Sequence, residues 1–250
     1  MKNTKLISIG ALPFMWTIYF LFELLTGRIT STSSFVFNCI LILLFSIVGY
    51  FIYTLSTKYM EGFSNKTIII IFSLCTLIDQ LIKIIIKLFY FNNNFTIVQD
   101  MLSFSPIINT KGSWLNARFN TSISFTFLIV INALALLLLY ELFKYSLSKN
   151  YKSFWCDIAF IFLFAGALCS LIDKVFYGGS LDFIGICNLF VADIKDIYIN
   201  IGLYSFIIYT YHSGYLTSED NSTLKDDLNS IKSFLIFVKD DLFLLIKKKH

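Results

Sequence analysis

The chain has 250 residues, of which 57% are hydrophobic and 14% charged, and its mean hydropathy is +0.74. A soluble domain carries about 25% charged residues, so a water-solvated surface is excluded and most of the chain must face lipid. The net charge of +4, from 20 Lys and Arg against 16 Asp and Glu, is small, and the basic residues lie between apolar runs rather than beside exposed aromatics; this excludes a nucleic-acid partner.

With 28 phenylalanines, 2 prolines and long apolar runs, the composition fits a helical bundle and not a barrel, whose strands alternate. The five cysteines form no CxxC pair, and only His212 and His250 could offer imidazole. No metal site and no cofactor are expected.

A spanning helix needs about 20 largely apolar residues. Six stretches qualify: 8–27, 34–56, 67–90, 121–146, 154–177 and 197–213. The last is short and polar for a lone helix, so it should be shielded by its neighbours. The first is not followed by a small-residue cleavage pattern, because Leu24-Leu25-Thr26-Gly27-Arg28 lacks one, and it is read as a retained helix.

Positive charge favours the cytoplasmic side. Lys2 and Lys5, then Lys58 and Lys66, then Lys144, Lys149 and Lys152, and the lysine-rich tail fall on one side; the other holds Arg28, Lys111, Arg118 and Lys195. Both termini are therefore expected inside, with long outer stretches at 91–120 and 178–196. Beyond Ser213 a polar stretch leads to Leu228, Ile231, Leu235, Val238, Leu242 and Leu245, spaced three and four apart. That spacing predicts an amphipathic helix, which either lies on the inner leaflet or binds a partner or a second copy of itself. No inverted repeat of the transporter kind is present.

Charges within lipid are expensive, about 2.5–3.5 kcal/mol each on insertion scales, so retained ones usually have a role. Asp79, Lys83 and Lys87 share one face of the third span. Asp79 and Lys83 can neutralise one another as a structural pair, or Asp79 can contact substrate. Asp173 and Lys174 end the fifth span, and Asp182, Asp193 and Asp196 follow. Two carboxylates in a low-dielectric site can share one proton, one serving as base and the other as acid.

These residues fall into blocks that resemble the lipoprotein signal peptidase (signal peptidase II) family. Asp79-Gln80-Leu81-Ile82-Lys83 is similar to its D-Q-x-x-K. Asn109-Thr110-Lys111-Gly112-Ser113-Trp114 resembles N-x-G-x-S-[WF]. Gly166-Ala167-Leu168-Cys169-Ser170-Leu171-Ile172-Asp173-Lys174 resembles G-A-x-G-N-x-x-D-R, and Gly179-Ser180-Leu181-Asp182-Phe183 its G-x-V-x-D-F. The stretch Asp193 to Gly202 resembles F-N-x-A-D-x-x-I-x-x-G.

The apolar stretches and the resemblance together imply an all-α integral membrane protein with about six transmembrane helices, four of them the usual family core, and a small β-element in the outer loops. Residues 1–66 would be two additional N-terminal helices, 67–213 a four-helix catalytic core, and 214–250 a cytoplasmic tail. The resemblance implies an aspartic endopeptidase of the bacterial cytoplasmic membrane, cutting lipid-modified prolipoproteins before the lipidated cysteine. The catalytic pair would be Asp182 with Asp196, six residues before Gly202; Asp193 is the second choice. Asp79, Lys83, Asn109, Ser113, Trp114, Ser170, Asp173 and Lys174 would bind substrate or support the site. Ser170 and Lys174 depart from the family's asparagine and arginine, and Asp193 from its asparagine. A non-catalytic scaffold or a small transporter on a related bundle is the alternative.

Overall fold

The computed structural model describes residues 2–111, 114–119, 123–213 and 224–247. In chain order these form α1 (Lys2–Leu25), α2 (Thr32–Lys58), α3 (Asn65–Ile85) continued by a π turn (Ile86–Tyr90), β1 (Phe95–Val98) and β2 (Leu102–Asn109). Then come α4 (Trp114–Phe119), α5 (Phe125–Ser148), α6 (Phe154–Tyr177), β3 (Ser180–Ile186), β4 (Phe190–Ala192), α7 (Ile194–His212) and α8 (Leu224–Lys247). The chain is an all-α membrane protein carrying one small antiparallel sheet of order β1-β2-β3-β4. That sheet occupies the stretches expected to lie between spans.

Among the described residues, α1, α2, α3 with its π turn, α5 and α6 are long and apolar enough to cross a membrane. Serine starts four helices in the same way. Ser31, Ser64, Ser124 and Ser153 each accept the backbone N–H three residues on, which satisfies a donor that lipid could not. Leu43 and Ile47 on α2, Ile69 and Leu77 on α3, and Leu134 and Leu137 on α5 are exposed. In water such surface would oppose folding; in hydrocarbon it is the ordinary state.

Helix α7, of 19 residues, is not among these five spans, so the sixth span expected over 197–213 is not met by length and apolarity alone. It packs between α6 and α1, and Tyr204, Ser205 and Ile208 are fully buried there. Its Tyr204 hydroxyl donates to the Ser8 carbonyl, and His212 Nε2 lies 3.3 Å from Ser8 Oγ. The two helices come close at Gly202, where an added Cβ would stand 2.8 Å from the Leu163 backbone nitrogen of α6. Only a residue without a side chain lets α7 lie that near.

The N-terminal pair is joined to the sheet by polar contacts. Glu23, fully buried, lies 3.1 Å from Arg28 and 3.6 Å from Arg118 of α4. Arg28 also donates to the Leu189 carbonyl in the β3–β4 turn, and Ser34 Oγ donates to the Asp100 carbonyl at 2.9 Å. At the opposite end α8 folds back on α5. Phe234 and Phe237 meet Tyr145 edge-on at 5.4 and 5.3 Å, and Lys144 pairs with Asp241. Leu228, Ile231, Leu235 and Leu242 of α8 remain exposed; residues 214–223 of the tail lie outside the described residues.

Gly202→Ala is expected to lower stability by about 1–3 kcal/mol, because the methyl group meets backbone that cannot rotate away. Thermal unfolding in detergent measures this, and an unchanged midpoint would contradict the close approach of α6 and α7.

Candidate active site

The site begins where α6 stops. Gly178 has φ +69°, the left-handed conformation that ends helices and suits glycine, and the chain then turns into β3. Antiparallel pairing sets Asn109 opposite Ser180, Ile108 opposite Leu181 and Ile107 opposite Asp182. Side chains two apart on a strand share a face, so Ser180 and Asp182 project together, beside Asn109. Asn109 Nδ2 donates to Asp182 Oδ2 at 3.2 Å, and Ser180 Oγ donates to Asp182 Oδ1.

Strand β4 delivers the chain to Asp193, the N-cap of α7. The Asp196 backbone N–H donates to Asp193 Oδ1 at 3.2 Å, and the Asp193 backbone N–H donates to Asp196 Oδ2 at 3.1 Å. This reciprocal box starts the helix and fixes both carboxylates. Carboxylate oxygens of Asp182, Asp193 and Asp196 all lie within 4.8 Å of one another.

Behind them lies an ion network. Lys83 Nζ stands 2.8 Å from Asp79, 2.7 Å from Asp173 and 2.6 Å from Asp193, with all four side chains shielded from solvent. Lys195 Nζ pairs with Asp193, donates to Ser180 Oγ, and lies 3.3 Å from Asp173 and 3.5 Å from Asp182. Gln80 donates to Asp79 at 3.0 Å and to Asp173 at 3.2 Å. Lys83 thus bridges α3, α6 and the start of α7. Removing such a partner strands buried charge, at a cost of about 3–5 kcal/mol.

Burial raises the Asp182 carboxyl pKa, Lys195 lowers it and Asp193 raises it, and the balance lies above the ordinary value. Asp196 precedes the apolar stretch 197–213. Burial there, with Asp193 and Asp182 adding to it against Lys195, pushes its carboxyl up to about 7. Asp193 goes the other way: burial opposes its charge, but Lys195 and Lys83 outweigh burial and keep it ionised. Two near carboxyls that both resist ionisation can hold one proton between them. The three-carboxylate group already has the Lys195 ammonium beside it, so its charge is partly met without a cation.

The residues singled out from the sequence therefore converge, with exceptions. Asp79, Lys83, Asn109, Asp173, Asp182, Asp193 and Asp196 join the cluster. Asp79 pairs with Lys83 as spacing suggested, but that lysine has two further aspartate partners. Lys174 turns back along its own helix, to Ser170 Oγ at 2.5 Å, rather than to Asp173. Trp114 begins α4, and Ser113 lies outside the described residues. Sequence reasoning missed Ser180 and Lys195. A signal existed for Lys195, since a lysine between Asp193 and Asp196 is flanked by acids on both sides, yet it was counted only as an outer-loop charge.

Two solved structures share the architecture, each described as a bacterial membrane enzyme determined by the in meso method. The one at 2.3 Å resolution is 24% identical, with TM-score 0.52, covering 66% of this chain and 99% of its own. The one at 1.9 Å is 25% identical, with TM-score 0.50, covering 65% and 99%. No curated protein matches the chain. Residues 70–212, more than half of the chain and all of the ion network, match the family Signal peptidase (SPase) II. Its place is thus among peptidases that process lipoprotein signal peptides: the chain belongs to the signal peptidase II family.

Proposed function

We propose that this protein is an aspartic endopeptidase of the bacterial cytoplasmic membrane that cuts lipid-modified prolipoproteins before the lipidated cysteine. The observation that carries the reading is the meeting of Asp182 from β3 and Asp196 from α7, with carboxylate oxygens within 4.8 Å and both carboxyls raised by burial. With both termini inside, the sheet lies at the outer interface, where water meets the end of a signal helix held in lipid.

In this reading Asp182 takes a proton from a water that attacks the scissile carbonyl carbon. Asp196 gives its proton to the carbonyl oxygen as the tetrahedral intermediate forms. Collapse breaks the C–N bond, a proton passes to the leaving amine, and the products are a carboxylic acid and an amine. Asn109 orients Asp182 through its amide N–H, and its carbonyl oxygen is left to meet substrate backbone. Asp193 is the poorer partner for Asp182, because Lys83 and Lys195 already pair with it. Asp79 and Asp173 serve Lys83 and hold the helices in place. These roles separate the three carboxylates experimentally.

Asp182→Asn and Asp196→Asn are each expected to slow release of the signal peptide from a diacylglyceryl-modified prolipoprotein by about 10²–10⁴-fold. Asp193→Asn is expected to fold less stably yet retain more of the activity. Purified variants in proteoliposomes, followed by gel shift of the product, check this; full cleavage by Asp182→Asn would reject the mechanism. An inactive wild-type protein on several such substrates would favour the scaffold reading.

Activity also needs the proton on Asp196. Since that carboxyl is raised to about 7, the alkaline limb of the rate should fall as pH rises through it. A rate–pH profile whose alkaline limb lies near 4, where an ordinary carboxyl titrates, would remove Asp196 from the acid role.

A further inference from the structure

Lys195 has no part in the resemblance that pointed to the site, and yet it is the cation nearest to the reacting carboxylates. It is buried at 5% exposure. Its ammonium touches one side chain from α6, two from β3 and one from its own turn: Asp173, Ser180, Asp182 and Asp193. Lys174, which stands where the family pattern carries arginine, donates to Ser170 Oγ and makes no ion pair within bonding distance among the described residues. Among the described residues no side chain from α3 ion-pairs with Lys195, but Lys83 faces it as a like charge, as does Lys174 from α6. Asp173, Asp182, Asp193 and Asp196 are the opposite charges around it.

The contacts are unequal across the pair. Asp182 has the Lys195 ammonium at 3.5 Å and two hydrogen-bond donors, Ser180 and Asn109. Asp196 has no lysine or arginine within ion-pairing distance among the described residues, and its carboxylate accepts a backbone N–H. Lys195 favours the charged form of both carboxyls, but only Asp182 has it at ion-pairing distance together with two side-chain donors, so the charge settles on Asp182 and the proton on Asp196.

We propose that Lys195 is a positioning residue for the reaction: held by Asp193 and Ser180, its ammonium keeps Asp182 the ionised base and leaves the proton on Asp196. The proposal rests on the aspartyl-pair reading above and deepens it. Asn109 and Ser180 aim the carboxylate, and Lys195 sets its charge. The lysine and Asp193 form a balanced pair, which explains how the chain tolerates an aspartate where the family pattern has asparagine.

The test is the acidic limb of the rate–pH profile for cleavage of a diacylglyceryl-modified prolipoprotein in proteoliposomes, which reports deprotonation of Asp182. Removing a positive charge raises a nearby carboxyl pKa, so Lys195→Met should move that limb to higher pH by about one unit or more, a tenfold loss of rate on the acid side. Lys195→Arg should leave it in place. A purely structural lysine would lower the rate or the stability without moving the limb, and an unmoved limb overturns the proposal. Should Lys195→Met fail to fold, Lys195→Gln decides, because it removes the charge while keeping a hydrogen-bond donor for Ser180 and Asp193. Its limb should move the same way, and no movement overturns the proposal. Asp182→Asn, assayed alongside, keeps the two ideas apart: full activity there rejects the aspartyl pair itself, whereas an inactive Asp182→Asn with an unmoved Lys195→Met limb rejects Lys195 alone.

Discussion

Asp79, Asp173, Asp182, Asp193 and Asp196 gather with Lys83 and Lys195, and with Lys174 close by, at one end of a largely apolar bundle, so five acidic groups face three basic ones. Hydrocarbon cannot stabilise that imbalance, so the groups must stabilise one another or hold a proton. Most do the first. Lys83 draws Asp79, Asp173 and Asp193 together and thereby fixes α3, α6 and the head of α7. The remainder falls on Asp182 and Asp196, at the rim where the sheet begins. The fold and the chemistry follow from the same shortage of positive charge.

Much of this was legible in the sequence because lipid narrows the choices. Uninterrupted apolar stretches of about 20 residues have one stable form, and the spans 34–56, 67–90 and 154–177 fall on α2, on α3 with its π turn, and on α6. Polar blocks in fixed order carried the family. The sheet was less visible: β1 has four residues and β4 three, and the pairing of β2 with β3 links residues more than 70 apart.

Long-range charge pairing was the least visible. Arg28, Arg118 and Lys195 read as outer-loop cations, yet the first two share Glu23 and the third sits among aspartates. Spacing shows which residues share a helix face, as with Asp79 and Lys83, but not which side chains arrive from elsewhere. Asp193 and Asp196 posed the same problem. Both are acids near a helix start, and what distinguishes them is that one sits between two lysines and the other does not.

Helices α1 and α2 lie outside the matched region 70–212, yet they are joined to it at both ends. Tyr204 donates to the Ser8 carbonyl, and the Glu23 carboxylate gathers arginines from its own loop and from α4. The hairpin is consequently no detachable module. Excising it would bare the flank of α7 to lipid and strip Arg118 of its counterion, so a minimal version would have to be redesigned along that seam rather than trimmed.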